Sequence, residues 1–139
     1  LITNQADLAD ILVQRDIVMN NWEKVVAAVT VHYVNDVVAD IAGLISAGDV
    51  TISPGSDATA DYENHWGEMR GYANGLIYND YKLISDSDLA EIFQVMGTYP
   101  VYPSDGNFDA MQAYHDALVG LRSVFASAYG FSSANVAGW

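Results

Sequence analysis

The sequence predicts an all-α fold: a four-helix up-and-down bundle with one very long first helix, formed by residues 1–139 as a single domain. Three observations carry this. Apolar residues recur at spacings of three, four and seven along four segments, which is the period of a helix face. Alternation of period two, the mark of a half-buried strand, is absent over any useful length. The segments are separated by short links holding Gly48, Pro54-Gly55, Gly97, Pro100, Pro103 and Gly106, residues that punctuate helices.

Residues 5–47 read as one helix, or two in line with a bend at Asn20-Asn21. Leu8, Leu12, Met19, Trp22, Val26, Val29, Tyr33, Val37, Ile41 and Leu44 make its stripe, and no Pro or Gly intervenes before Gly43. Unbroken, it spans about 60 Å at ~1.5 Å per residue. The stretch from Val25 to Val38 is apolar on most of its circumference, so it is expected to bury area against more than one partner. The second helix, 58–79, starts at a cap supplied by Ser56, Asp57 or Thr59. It places Tyr62, Trp66, Met69, Ala73, Leu76 and Ile77 on one side. Asp86-Ser87-Asp88 with Glu91 opens a short third helix from Leu89 to Met96, stopped by Gly97. The fourth, 107–128, aligns Phe108, Met111, Tyr114, Leu118, Leu121 and Phe125. Gly130 ends it, and an apolar tail runs from Phe131 to Trp139.

Composition narrows function. Of 139 residues, 51% are hydrophobic, enough for a core without disulfides or metal. The absence of cysteine removes thiolate metal sites, iron–sulfur clusters and cysteine nucleophiles. Eighteen acids against five bases leave a net charge of −13, a field that repels nucleic acid and anionic membrane and attracts cations. Apolar stretches are interrupted well short of the ~20 residues of a membrane span. The opening Leu1-Ile2-Thr3-Asn4 has neither an initiator Met nor a signal sequence, so a soluble fragment or processed product is expected.

The densest chemistry lies in 64–75. His65 and Glu68, at i and i+3, share a helix face and can reach one metal. The alternative is a core histidine bonded to a carboxylate or carbonyl. His32 with Asp36 one turn on repeats the pairing on the first helix, and His115 lies between Met111 and Leu118 on the fourth. Histidines on facing helices of a bundle are how such folds build metal sites. Imidazole with carboxylate suits zinc, iron or copper better than calcium. Gly67, Gly71 and Gly75 form a bare stripe costing roughly 1 kcal/mol each against Ala, which points to a closely packed helix or a flat ligand. The sequence contains no H-E-x-x-H motif, no paired Glu-x-x-His, no phosphate loop and no G-x-S-x-G.

Three segments together resemble a family of exported, often lipid-anchored marine-bacterial proteins related to the imelysin-like superfamily. They are Trp22-Glu23-Lys24-Val25-Val26-Ala27-Ala28 with His32-Tyr33-Val34-Asn35-Asp36, then His65-Trp66-Gly67-Glu68-Met69-Arg70-Gly71 with Tyr72-Ala73-Asn74-Gly75-Leu76, and Ala128-Tyr129-Gly130-Phe131 with Asn135-Val136 and Trp139. The resemblance covers most of this chain and only the C-terminal part of such proteins. It implies an all-α protein of the periplasm or cell surface, connected with iron or haem acquisition, or a metallopeptidase. The family signature G-x-H-x-x-E is matched at His65 and Glu68, with Glu63 where the Gly would stand. The expectation is a non-enzymatic envelope protein holding a transition metal (iron, zinc or copper) or haem, with His65, Glu68, His32 and Asp36 as ligands. The alternatives are a metal-dependent peptidase with Glu68 as general base and an interaction module with no site. Partners are expected to be the N-terminal remainder of the same protein, another chain or a second copy.

Overall fold

The computed structural model describes residues 7–139, so the expected start of the first helix at residue 5 lies outside the described residues. The fold is all-α. The helices are α1 (Leu8–Ala47), α2 (Ala60–Gly75), α3 (Asp86–Met96), α4 (Asp109–Tyr129) and α5 (Ser133–Gly138), with single 3₁₀ turns on either side of α2. No strand occurs among the described residues, which contain one isolated bridge between Ser104 and Asn107.

Several boundaries have a local cause, although the expected side-chain cap at the start of α2 does not form. The Asp7 side chain accepts the Ala9 N–H at the start of α1, and Gly48, at φ 75°, closes its end through N–H bonds to Leu44 and Ile45 carbonyls. Between these caps α1 runs unbroken for 40 residues through Asn20-Asn21. Ser85, one residue ahead of the expected acidic cluster, caps α3 by accepting from the Asp88 N–H. Gly130 at φ 68° stops α4. The tail forms α5, whose Ser132 cap accepts from the Asn135 N–H.

The core is centred on α1, which packs chiefly against α2 and α4, while α3 packs on α4 and α5 on both α4 and α1. Its buried residues are Glu23, Ala27, Thr30, Val31, Val34, Val37, Val38 and Ile41. They meet Tyr62, Met69, Ala73 and Leu76 around α2, Leu89, Ile92 and Met96 on α3, and Met111, Tyr114, Leu118, Leu121, Phe125 and Tyr129 on α4. The stripe of α4 matches the sequence pattern. That of α1 does not: Leu8 is 67% exposed and Trp22 71%, whereas Glu23 and Thr30 line the buried face. The two polar residues interrupt the true core face, so apolar periodicity selects a neighbouring face in this part of the helix. The second half of α1 is well covered by the other helices. The unpartnered apolar surface lies in the first half, at Leu8, Ile11, Leu12, Val13, Ile17, Val18 and Trp22. By length and composition alone α1 could cross a membrane; the qualifying 18-residue window has mean hydropathy 1.4 and is 39% buried within the protein.

Glu23 is 3% exposed and fully engaged. Its Oε2 accepts from Asn79 Nδ2 at 2.6 Å, and its Oε1 accepts from the Leu83 N–H at 2.8 Å, the Ile84 N–H at 3.3 Å and the Tyr129 hydroxyl at 3.0 Å. This carboxylate ties α1 to the 79–84 connection and to the end of α4. Burial, and then the adjacent carboxylate, push the Tyr129 hydroxyl well above its ordinary pKa. Asn35 plays a second tying role: its Nδ2 donates to the carbonyls of Val136 and Trp139, and its Oδ1 accepts from Arg122 Nε at 2.8 Å.

The glycine stripe of α2 is not a packing groove. A Cβ added at Gly67 or Gly71 meets nothing within 4 Å, and one at Gly75 makes an ordinary 3.5 Å contact with Val26. The close-neighbour reading of the stripe is therefore corrected: most of it faces open space.

Two outcomes follow. Gly71→Ala stabilises by roughly 1 kcal/mol through helix propensity alone, read as a higher melting temperature. Glu23→Ala leaves the buried Ile84 N–H and Tyr129 hydroxyl and the half-buried Asn79 amide without an acceptor and destabilises by about 3 kcal/mol or more, measured by urea unfolding.

Candidate functional site

The α1/α2 face gathers the titratable residues singled out by sequence. On α1, His32, Asp36 and Asp40 follow one another at intervals of four, one above the next along the helix. On α2, His65 and Glu68 are one turn apart. His65 Nδ1 lies 2.7 Å from Asp40 Oδ2, both side chains being largely buried. His32 Nε2 lies 3.3 Å from Asp36 Oδ2 at a more open position, with half of the His32 side chain exposed. Tyr33 stands between the two histidines, its ring centroid 5.1 Å from His32 and 6.2 Å from His65. It also stacks on Tyr72 at 5.4 Å and 14°. His32 and His65 thus share one aromatic neighbour, whereas His115 pairs with Asp116 of its own helix at 2.8 Å.

Electrostatics mark His65. The hydrogen bond to Asp40 raises its pKa above the ordinary 6.5 against an opposing desolvation, and the charges of Asp40, Asp36 and Asp61 add to the rise. Glu68 does not share a partner with His65. It lies beside the Tyr33 hydroxyl, whose pKa is raised first by desolvation and then by this carboxylate. Neither Arg70 nor Arg122 pairs with Glu68: Arg122 donates to Asn35, and Arg70 lies over the Phe93 ring, 4.6 Å from its centroid. Among the described residues no three histidine or acidic side chains are grouped to hold a metal ion. Of the four residues expected as ligands only His32 and Asp36 pair with one another; His65 pairs with Asp40, and Glu68 with neither histidine.

Sequence reasoning passed over Asp40. Its signal was its spacing, one turn beyond Asp36, in line with His32. Sequence reasoning also left Glu63 as a departure from a signature. In the structure Glu63 Oε1 accepts from the Gly55 N–H at 2.8 Å, the Thr59 hydroxyl at 2.7 Å and the Tyr102 hydroxyl at 2.9 Å. These bonds hold its carboxyl below the usual range, the Thr59 bond contributing most. Glu63 fastens the Pro54-Gly55 loop and the 97–108 connection to the start of α2, work that a glycine cannot do.

No protein-family model matches the chain, and neither a curated protein nor a solved structure matches it.

The His65–Asp40 pair has a definite pH signature. Because the folded-state pKa of His65 is raised, its stabilisation is complete below the unfolded value of about 6.5 and is lost as pH rises through the folded value. Thermal unfolding of the wild type therefore shows a stability contribution that declines across this interval. Asp40→Asn returns the His65 pKa toward 6.5, read directly by an NMR titration of the imidazole.

Proposed function

We propose that this chain is a non-enzymatic binding domain whose α1/α2 face takes a metal ion, or an iron-containing ligand, through His65. The observation that carries the reading is the 2.7 Å contact between His65 Nδ1 and Asp40 Oδ2. A carboxylate accepting from Nδ1–H fixes the imidazole tautomer, leaves Nε2 as the lone-pair donor and raises its basicity. Metal-binding histidines are commonly oriented in this way. Asp36, Asp40 and Glu68 lend negative charge to the surroundings and favour a cation. With the acidic and histidine side chains arranged in pairs, a ligand that brings some of its own donors, as hydrated ions and metal chelates do, suits the face better than a bare ion needing a closed protein cage. His32 with Asp36 is the second candidate donor pair, separated from His65 by Tyr33.

The up-and-down bundle arrangement belongs to the same proposal, supported by the packing of α1 along both α2 and α4. So does an exported location in the periplasm or at the cell surface, with a lipid anchor elsewhere in a longer protein, as the sequence resemblance implies. The peptidase alternative requires Glu68 beside a metal-held water, and the proximity of Glu68 to the Tyr33 hydroxyl favours a binding role instead.

Titration of the purified chain with zinc, iron, copper and haem at neutral pH, followed by calorimetry and metal analysis, tests the proposal. Uptake is expected to be abolished by His65→Ala and weakened roughly tenfold by Asp40→Asn, with helicity unchanged. Affinity falls as the solution is acidified, because the proton competes for Nε2. Failure of the wild type to take up any of the four sinks the reading and leaves His65 as a hydrogen-bonded structural residue.

A further inference from the structure

The exposed side of α1 carries a pattern of its own. Leu8, Ile11, Arg15, Val18, Trp22, Val25 and Val29 follow one another at alternating spacings of three and four, the a/d seam of a heptad repeat. This seam lies on a different side of the helix from Glu23, Ala27, Thr30 and Val34, which face the core. Its members Leu8, Ile11, Val18, Trp22 and Val25 are between 52% and 71% exposed. Positions flanking the seam are Leu12, Met19 and Val26 on one side and Gln14, Asn21 and Ala28 on the other, and none is charged. The single charged member, Arg15, is neutralised within its own chain, with Nη2 2.6 Å from Asp16 Oδ1 and its guanidinium 5.1 Å from the Tyr81 ring centroid. At its far end the seam runs into an apolar cleft of about 280 Å³ lined by Ala28, Val29, His32 and Trp139.

We infer that this seam is the contact surface for a second copy of the chain, packed antiparallel as a two-fold dimer through α1. Charge selects the face. Two molecules of net charge −13 repel over most of their surface, and the seam with its uncharged flanks is where they can meet without opposed carboxylates. Orientation follows from the residues. A parallel pairing sets Arg15 against Arg15. An antiparallel pairing about Asn20 sets Val18 against Trp22 of the other copy and brings Leu8 and Ile11 toward its Val29 and His32, at the mouth of the cleft. The exposed first turns of each α1 then cover the exposed seam of its partner, an isologous and closed contact. A stable interface needs roughly 800 Å² from each side; five apolar members of the seam are more than half exposed, and the cleft continues the row. A lipid surface fits less well, because interfacial helices are rich in Lys and Arg on the polar face, and the segment from Leu8 to Val29 has only Arg15 and Lys24. This inference does not depend on the role of His65.

Sedimentation equilibrium of the intact chain over a range of concentrations tests it. The expected mass is twice that of the chain. Val18→Asp is expected to raise the dimer dissociation constant about tenfold or more with helicity unchanged, because Val18 makes its contacts outside the core. Since the chain has no cysteine, Ile11→Cys and Val29→Cys chains mixed under oxidation report orientation. Cross-linking between the two variants supports the antiparallel dimer. Efficient cross-linking of Ile11→Cys to itself overturns the orientation. A wild type that is monomeric throughout overturns the dimer. So does a monomer that sediments with phosphatidylcholine vesicles and loses this on Val18→Asp, an outcome that assigns the seam to lipid.

Discussion

Glu23 is the constraint on which the arrangement of this protein depends. A buried carboxylate is costly unless every lone pair finds a donor. Here the donors come from Asn79, Leu83 and Ile84 in the connection between α2 and α3, and from Tyr129 at the end of α4. These groups are far apart in sequence. One carboxylate therefore fixes how the 79–84 connection and the end of α4 stand around α1, with directional bonds in place of the non-directional attraction of the apolar core. Asn35 does the same three turns further on, where it holds the carbonyls of α5 and the guanidinium of Arg122. The polar ties and the apolar core divide the task, the core supplying the attraction and the ties the register.

The ties also explain why the three segments behind the sequence resemblance belong together. Glu23 from the first meets Tyr129 from the third. Asn35 from the first meets Val136 and Trp139 from the third. Tyr33 from the first stacks on Tyr72 from the second, beside His65. The segments meet in space, so their joint occurrence has a structural basis.

The candidate site shows how little of a binding face is visible along the chain. His65 and Glu68 are adjacent on one helix and invite pairing, yet in space each turns to a residue of α1: His65 to Asp40 and Glu68 to Tyr33. The i,i+3 relation guarantees only a shared face. Which groups then satisfy one another is decided by the helix packed against it, as Asp40 of α1 shows at 2.7 Å from His65.

The sequence by itself determined the helical class, the glycine stops of α1, α3 and α4 and the core face of α4, because glycine stops and apolar periodicity are local properties. It also determined the charge that limits partners. Only the tertiary structure decided which face of α1 is the core, because Glu23 breaks the apolar pattern there and is acceptable in the interior only through its distant bonding partners. It decided equally that Gly67 and Gly71 face open space, and that Asp40, not Glu68, is the partner of His65. In each case the outcome depends on what stands opposite, which is a relation between segments distant along the chain and leaves no periodic trace in either one.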